Sequence, residues 1–423
     1  MITRENGLRY AKLIHVSVDN GKTDNSNKVY IMEEMSNGQI KCEYGRVGKE
    51  LRTEYKDSSK WDSVYRQKLS TTKGYTDVTE LMVEKVVNNS NGTKTLEISD
   101  KEVKKLMDDL MSFANKSIQQ NYKVTQEAVS EQQVNAAQKH IDEINTILKI
   151  GVDTKKINDI LIKLFTTIPR KMDNVKAHLF SDITNAKTLK EAKELLGEEQ
   201  DMLDTMAGQV QLLKQKAESA VNQTTTDVTI LDQMGVTIEI ETNKEQLDLI
   251  YKLLGSNKNQ AKKIFKVVNS KTEAVFNNHF KNASVKKKRL YWHGSRNENW
   301  FNLVQTGLLI RPAGAVHTGS MFGDGCYFSN KSQKSIGYTS LRGSYWAHGG
   351  DNKAFLGLFD VHIGNQKHIY KHDSSCYSLS QKVMDREGFD SVYAHGGIDL
   401  RNDEFIIYNP NQCTISHLIE INA

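Results

Sequence analysis

Residues 98–225 constrain the fold most, because their apolar side chains recur at helical spacing. Ser99 with Glu102, and Ser130 with Gln133, have the spacing of a capping box at a helix start. An apolar stripe follows each pair. The first stripe is Val103, Leu106, Met107, Leu110 and Met111, and the second is Val134, Ile141, Ile144 and Leu148. Two amphipathic helices are therefore predicted here.

The helical pattern continues beyond the second helix, which is predicted to end at Gly151. A third helix is predicted before Pro169, a fourth from Thr188, and a fifth over residues 203–213. Because the linkers between these helices are short, the region is expected to form an antiparallel bundle.

The regions on either side of the helices have a different character. In residues 1–97, short β-type runs such as LIHVSV and KVYIMEEM are bounded by the turn signals DNGK and SNGQ, and WDSVYRQKLSTTKGY reads as one helix followed by a glycine-containing break. In residues 226–423, glycine and aromatic residues become frequent and β-type runs return. Those runs are VTIEIE, LYW, AFLGLFDVHIG, DSVYAH and EFIIYN. The C-terminal region is thus expected to be an α+β or mainly β domain.

Composition excludes several classes of protein. The 423 residues carry a net charge of +5, a mild excess that does not by itself indicate nucleic-acid binding. The four cysteines are scattered and lack CxxC spacing, so neither a disulfide framework nor a zinc module is expected. No apolar run is long enough for a membrane span, and the N-terminus lacks the apolar core of a signal peptide. We therefore expect a soluble, intracellular, multi-domain protein that is not secreted and holds no metal.

Several residue types suited to binding an amide and a ribose lie in the C-terminal region. His293, Gly294 and Ser295 follow a predicted strand in YWHGSR. The glycine-rich segment 319–330 leads into Tyr327, and it fits neither a Rossmann nor a P-loop pattern. The remaining candidates are Lys334, Ser335, Tyr338 and Glu404. Each has a structural reading alone: a core histidine, core tyrosines or a strand-edge charge.

Taken together, these motifs resemble the catalytic domain of the poly(ADP-ribose) polymerase family. WHGSR, GLLIRP, MFGDGCYF, SQKSIGY and NDEFIIYNPNQ occur in the family's order. The His, Tyr and Glu signature of that family falls on His293, Tyr327 and Glu404. The resemblance implies a mixed α/β ADP-ribosyltransferase domain with a split antiparallel β core.

The rest of the chain resembles the compact DNA-dependent members of this family. SEQQVNAAQ and LFTTIP are similar to the regulatory helical domain, and YGRVG is similar to a WGR domain in which Tyr44 replaces the tryptophan. The resemblance implies a multi-domain α+β protein: a β-rich WGR-like domain over 1–97, a regulatory α-helical bundle over 98–225 and the catalytic domain over 226–423.

The same resemblance implies a substrate and a role for each candidate. NAD is the substrate: Gly294 and Ser335 bind its carboxamide, and Tyr338 and Tyr327 flank the nicotinamide. His293 binds the adenosine ribose, with Ser295 nearby. Glu404 binds the nicotinamide ribose and polarises the attacking hydroxyl, which chain elongation requires. Lys334 is a candidate for positioning the acceptor.

Partners and location follow from the resemblance as well. DNA ends or nicks are the expected activators, with Arg46 contacting DNA or the helical domain, or serving only as a strand-end charge. Acceptor proteins, including the chain itself, are the expected targets, and a monomer is expected. A eukaryotic source implies the nucleus, and another source implies the cytoplasm or nucleoid. The basic run KKKR at 286–289 reads as an import signal or as a solvated turn before a strand.

The sequence departs from the family pattern at two positions. Ser320 stands where many members have a tyrosine over the nicotinamide pocket, and Leu309 where DNA-dependent members have an arginine near the adenosine, with Arg311 as a substitute. The acceptor loop between Lys334 and Glu404 looks short. Three readings stay open: a DNA-stimulated polymerase, a mono-transferase or NAD hydrolase, and a decayed DNA-end binding scaffold. The presence of Glu404 favours the first.

Overall fold

The computed structural model describes residues 1–4, 6–18, 25–82, 96–121, 129–170, 172–221, 229–310 and 321–423. Backbone contacts divide these residues into two units. Among the described residues, the first lies within residues 1–87 and 117–213, and the second within residues 88–116, 214–313 and 317–423. The predicted domain boundaries at 97/98 and 225/226 stay predictions.

The elements are numbered in chain order. The strands are β1 Ile2–Thr3, β2 Arg9–Val18, β3 Asn25–Glu34, β4 Gln39–Arg46, β5 Arg52–Asp57, β6 Thr76–Asp77, β7 Val236–Ile240, β8 Ala261–Asn269, β9 Lys288–Gly294, β10 Cys326–Phe328, β11 Lys353–His362, β12 Gln366–Ile369, β13 Ser391–Ala394, β14 Glu404–Ile407 and β15 Cys413–Asn422. The α-helices are α1 Trp61–Leu69, α2 Lys101–Asn121, α3 Glu131–Ile150, α4 Thr154–Thr167, α5 Ala186–Val221, α6 Ile230–Met234, α7 Lys244–Leu254, α8 Ser270–Asn282, α9 Trp300–Thr306, α10 Ser332–Ile336 and α11 Gln381–Glu387.

The first unit combines an antiparallel sheet with helices. Strands β1 to β5 follow one another across the sheet and β6 pairs with β2. Alternating residues of β2, such as Ile14 and Val16, share one apolar core with residues of α3, α4 and α5. The predicted capping box at Ser130 and Gln133 is present, and Gly151 caps the other end of α3. These local predictions are confirmed.

Two helix predictions in this region are wrong in detail. Asp100, not Ser99, caps α2, because its carboxylate accepts the backbone N–H groups of Glu102 and Val103 at 2.8 and 3.1 Å. The helix predicted from Thr188 and the one predicted over 203–213 are a single 36-residue helix, α5. The segment between them contains one glycine, Gly197, and a lone glycine weakens a helix without ending it.

The second unit contains two sheets. The larger has the strand order β7-β8-β15-β11-β9 and is antiparallel throughout. The smaller has the order β10-β14-β13-β12, with only the β12–β13 pair parallel. The sheets meet where Trp292 of β9 and Ser329 bridge each other, with N–O distances of 2.8 and 3.0 Å. The expected mixed α/β fold with antiparallel sheets is confirmed for this unit.

The first turns of α2 pack on the large sheet of this second unit. Glu102 pairs with Lys263 of β8, and Asp109 pairs with Lys353 of β11. Phe113 packs edge-on against Phe355 at 6.4 Å. This part of the region predicted as the helical domain therefore belongs to the second unit.

Among the described residues, no helix is long and apolar enough to cross a membrane. Nor does any group of three His, Cys, Asp or Glu side chains lie close enough there to hold a metal ion. The four cysteines are free and buried.

Candidate active site

The site begins at the C-terminal end of β9, where the strand passes very close to α10. A Cβ atom added to Gly294 would lie 1.8 Å from the carbonyl oxygen of Ser335. No side chain fits in that space, so a glycine is required for the two backbones to approach. The backbone of Gly294 and the side chain of Ser335 are thereby held side by side.

Two neighbours of Gly294 are fixed by hydrogen bonds. The Nδ1–H of His293 donates to the carbonyl of Tyr327 at 3.0 Å, which sets the ring tautomer because a carbonyl only accepts. The imidazole packs against the rings of Phe328 and Phe359 at 6.0 and 5.9 Å. The hydroxyl of Ser295 accepts from the side-chain amide of Asn299 at 3.1 Å.

The hydroxyl of Ser335 is buried and donates to the carbonyl of Trp292 at 3.1 Å. Since the hydrogen is used in this bond, the oxygen presents lone pairs that can accept an N–H group. A primary carboxamide has such a group, so the Ser335 hydroxyl beside Gly294 fits the amide of nicotinamide as an acceptor.

Glu404 and Lys334, the residue directly before Ser335, form a buried ion pair. Glu404 begins β14 and Lys334 lies in α10; their side chains are 9% and 12% exposed. Lys334 also donates to the carbonyl of Asn402 at 3.3 Å. The second carboxylate oxygen of Glu404, Oε2, is buried and lacks a hydrogen-bond partner among the described residues. Such an atom is costly unless a ligand completes it.

Burial is the largest influence on the pKa values of both members of this pair. It raises the pKa of Glu404, and the Lys334 cation only partly offsets this. It likewise lowers the pKa of Lys334, against the pull of the Glu404 carboxylate. A carboxylate whose pKa is raised in this way is a stronger base than an exposed one, which suits it to accept a proton.

Two tyrosines line the same region. The hydroxyl of Tyr327 donates to Gly323 O at 2.7 Å and accepts from Phe322 N–H at 3.0 Å, so its ring is held in place. Burial and then the nearby Glu404 carboxylate raise the pKa of Tyr338. Burial also raises the pKa of Tyr327, so both rings remain neutral and present aromatic surface.

The structure thus brings together the candidates predicted in the C-terminal region. It places Arg46 in the other unit, where its guanidinium donates to the carbonyls of Met172, at 3.1 Å, and Asp173. Leu309 is half exposed. Ser320 and Arg311 lie outside the described residues.

Three participants were missed by sequence reasoning. The carbonyls of Trp292 and Asn402 anchor Ser335 and Lys334, and no sequence signal identifies such backbone contacts. Trp346 stacks on Tyr338 with ring centroids 6.0 Å apart. The aromatic pair in SYWAHGG, seven and eight residues after Tyr338, was the available signal.

Comparison with known proteins decides the family. Residues 239–423 match the family described as "Poly(ADP-ribose) polymerase catalytic domain". A putative poly [ADP-ribose] polymerase-like protein, 100L, of Invertebrate iridescent virus 6 is 35% identical over 189 residues, which cover 43% of this chain and 96% of that protein. The chain belongs to the poly(ADP-ribose) polymerase family.

More distant relatives are longer proteins. The poly [ADP-ribose] polymerase of Drosophila melanogaster is 26% identical over 78% of this chain and 35% of its own length. Human poly [ADP-ribose] polymerase 2 is 29% identical over 33% of this chain and 26% of its own length. These poly(ADP-ribose) polymerase matches support NAD-dependent ADP-ribosyltransferase activity, with NAD as the substrate.

Proposed function

We propose that this member of the family transfers ADP-ribose from NAD to protein or nucleic-acid acceptors and elongates the product into poly(ADP-ribose), under stimulation by DNA ends. The observation that carries the proposal is the buried Glu404, whose Oε1 pairs with Lys334 while Oε2 has no partner in the described part of the chain. Elongation requires a base for a ribose hydroxyl, and in this proposal the unpaired oxygen of Glu404 accepts its proton.

NAD binding is assigned to the residues around Gly294. The backbone of Gly294 and the hydroxyl of Ser335 hold the carboxamide, which fits a buried hydroxyl already donating to Trp292. Tyr338 and Tyr327 flank the nicotinamide, a cationic ring for which aromatic faces are good partners. His293, with Ser295 nearby, binds a ribose hydroxyl of the adenosine half.

The reaction breaks the bond between the nicotinamide nitrogen and C1 of the ribose. Nicotinamide leaves with the bonding electron pair and becomes neutral, while the ribose acquires oxocarbenium character. The acceptor hydroxyl forms the new bond to C1, and its proton passes to the Glu404 carboxylate. Lys334 positions the acceptor and holds Glu404 in place. Orientation and charge stabilisation supply the catalysis, because the pyridinium needs no acid to depart.

Regulation is assigned to the first unit. We propose that residues 1–97 act as a WGR-like DNA-end reader, that the helices restrain NAD access, and that DNA shifts this balance by differential binding. Similarity to the Drosophila enzyme over 78% of the chain, well beyond residues 239–423, supports this part. Acceptor proteins, including the chain itself, are the proposed targets of a monomeric enzyme. Its location is the nucleus in a eukaryote and the cytoplasm or nucleoid elsewhere.

The test is NAD consumption with gel analysis of labelled product, with and without blunt or nicked DNA, for the wild type, Glu404→Gln and Glu239→Gln. Glu239 is the matched control, because its side chain is 58% exposed and pairs with Lys266 on the sheet surface. We expect DNA-dependent ladders from the wild type and the control, and short products from Glu404→Gln.

Other outcomes would overturn separate parts of the proposal. Equal activity without DNA would remove the regulatory role. Single ADP-ribose units from the wild type would indicate a mono-transferase, and free ADP-ribose alone an NAD hydrolase. No turnover under any condition would leave a DNA-end binding scaffold.

A further inference from the structure

Residues 340–351 form a tightly hydrogen-bonded loop between α10 and β11. The backbone N–H of Arg342 donates to Asp351 O at 2.7 Å, and that of Asp351 donates to Ser340 O at 3.0 Å. Within the loop, Gly349 N–H donates to the hydroxyl of Ser344 at 2.7 Å. The loop therefore has a defined shape, although much of it is solvent-exposed.

This loop presents two aromatic side chains at the surface. Tyr345 is 72% exposed and Trp346 is 57% exposed. The backbone N–H groups of Trp346 and Ala347 both donate to the carbonyl of Gly337, at 2.8 and 3.0 Å. The indole is close enough that a Cβ on Gly337 would lie 3.2 Å from it. Trp346 is thus anchored to the residue that directly precedes Tyr338.

The ring of Trp346 also contacts the ring of Tyr338. The two planes are 18° from parallel and the centroids are 6.0 Å apart, an offset stack. Tyr345 meets the indole edge-on, at 4.6 Å and 87°. Offset and edge-on arrangements are the favourable ones for aromatic rings, so the stack with Trp346 holds Tyr338 in a defined plane, and Tyr345 adds only an exposed edge contact to the indole.

We propose that Trp346 is a positioning residue for NAD: it fixes the plane of Tyr338 so that this ring receives a planar aromatic amide. The inference rests on the function proposed above, in which Tyr338 flanks the nicotinamide. Without the indole, the phenol ring must be ordered when the ligand binds, and that cost lowers affinity. A ring that acts equally on substrate and transition state changes KM and leaves kcat unaltered.

The experiment compares Trp346→Ala, Trp346→Phe and Tyr345→Ala in the full chain. Nicotinamide binding is measured by titration calorimetry, and KM and kcat for NAD by steady-state kinetics. For Trp346→Ala we expect the nicotinamide Kd and the KM for NAD to rise about two- to tenfold, with kcat within about twofold of the wild type.

The other two variants are controls. Trp346→Phe keeps an aromatic ring at this position, so it should bind nicotinamide more tightly than Trp346→Ala and nearly as well as the wild type. Tyr345→Ala leaves the affinity nearly unchanged, and the exposed position of Trp346 predicts an unaltered Tm for all three.

The inference is wrong if Trp346→Ala binds nicotinamide as the wild type does, or if it lowers kcat at constant KM. A loss of affinity accompanied by a fall in Tm would also overturn it, by indicating a role in stability. The proposed function fails separately, if the wild type itself neither binds nicotinamide nor consumes NAD.

Discussion

Glu404 and Lys334 occupy a position where burial acts against both charges. The pKa of Glu404 is raised and that of Lys334 is lowered, each toward the neutral form. A carboxyl whose pKa is raised in the folded state favours folding at low pH, and this contribution is lost as the pH rises through the folded-state pKa. The proposed base must be ionised, so activity is expected to rise with pH over the same interval. Because the Lys334 cation lowers the pKa of Glu404, it also lowers the pH at which activity begins to rise.

Replacing Lys334 by methionine is expected to move the acidic limb of the pH–rate profile to higher pH. The substitution removes a cation that lowers the pKa of Glu404, so the effect of burial raises that pKa further. The measurement is kcat/KM for NAD from pH 5 to 9. Lys334→Arg keeps the charge and should hold the limb near that of the wild type. An unchanged limb in Lys334→Met would show that Glu404 ionisation does not control the rate.

Alanine at Gly294 is expected to destroy nicotinamide binding and to destabilise the second unit by about 3 kcal/mol. The added methyl would overlap the carbonyl of Ser335, so α10 or β9 must move. Gly350→Ala is the matched control, since nothing lies within 4 Å of a Cβ there. Calorimetric titration and urea unfolding of both variants test this. Full nicotinamide binding by Gly294→Ala would contradict the assigned carboxamide site.

At the scale of elements, sequence pattern was sufficient where local rules operate. The runs around β9, β11, β13 and β14 are strands as predicted, and the caps of α3 follow the expected chemistry. The break predicted within α5 was wrong, because the core packing of apolar residues on both sides of Gly197, such as Leu196 and Leu203, outweighs the cost of one glycine. Contacts between residues distant in sequence could not be predicted, because they depend on how the chain folds. Examples are the hydrogen bond from Lys334 to the carbonyl of Asn402 and the stack of Trp346 on Tyr338.

The link between α4 and α5 supplies a stability prediction at this scale. Arg170 follows α4 and Glu199 lies within α5; both are 5% exposed and form an ion pair. Arg170→Met leaves the carboxylate buried without its cation, which should cost about 3–5 kcal/mol. Lys155→Met removes an exposed i,i+4 pair with Asp159 and should cost less than about 0.5 kcal/mol. Urea unfolding followed by far-UV circular dichroism measures both, and equal small shifts would show that the buried pair contributes little.

For the molecule as a whole, the first unit provides a route from the N-terminal sheet to the helices. Residues of β2 and β3 share an apolar core with α3, α4 and α5. The buried Asn27 of β3 donates to the carbonyl of Arg170 at 3.0 Å. Arg46, at the end of β4, contacts the segment after α4. A ligand that changes the sheet therefore has packed groups through which to affect the helices, as the proposed DNA stimulation requires.

Arg46→Ala tests that route. Its guanidinium donates to the carbonyls of Met172 and Asp173, and losing these charge-assisted bonds should uncouple the sheet from the helices. We expect DNA affinity within about twofold of the wild type and a roughly tenfold smaller stimulation of NAD consumption by DNA, because about 1.4 kcal/mol of coupling corresponds to a factor of ten. The measurements are fluorescence anisotropy with a labelled duplex end and NAD turnover with and without DNA.

Arg52→Ala is the matched control, because it removes the same charge from an exposed position on β5 and should leave the stimulation intact. If Arg46→Ala instead weakens DNA binding strongly and reduces its salt dependence, the side chain contacts phosphate, and coupling must depend on other contacts of the shared core.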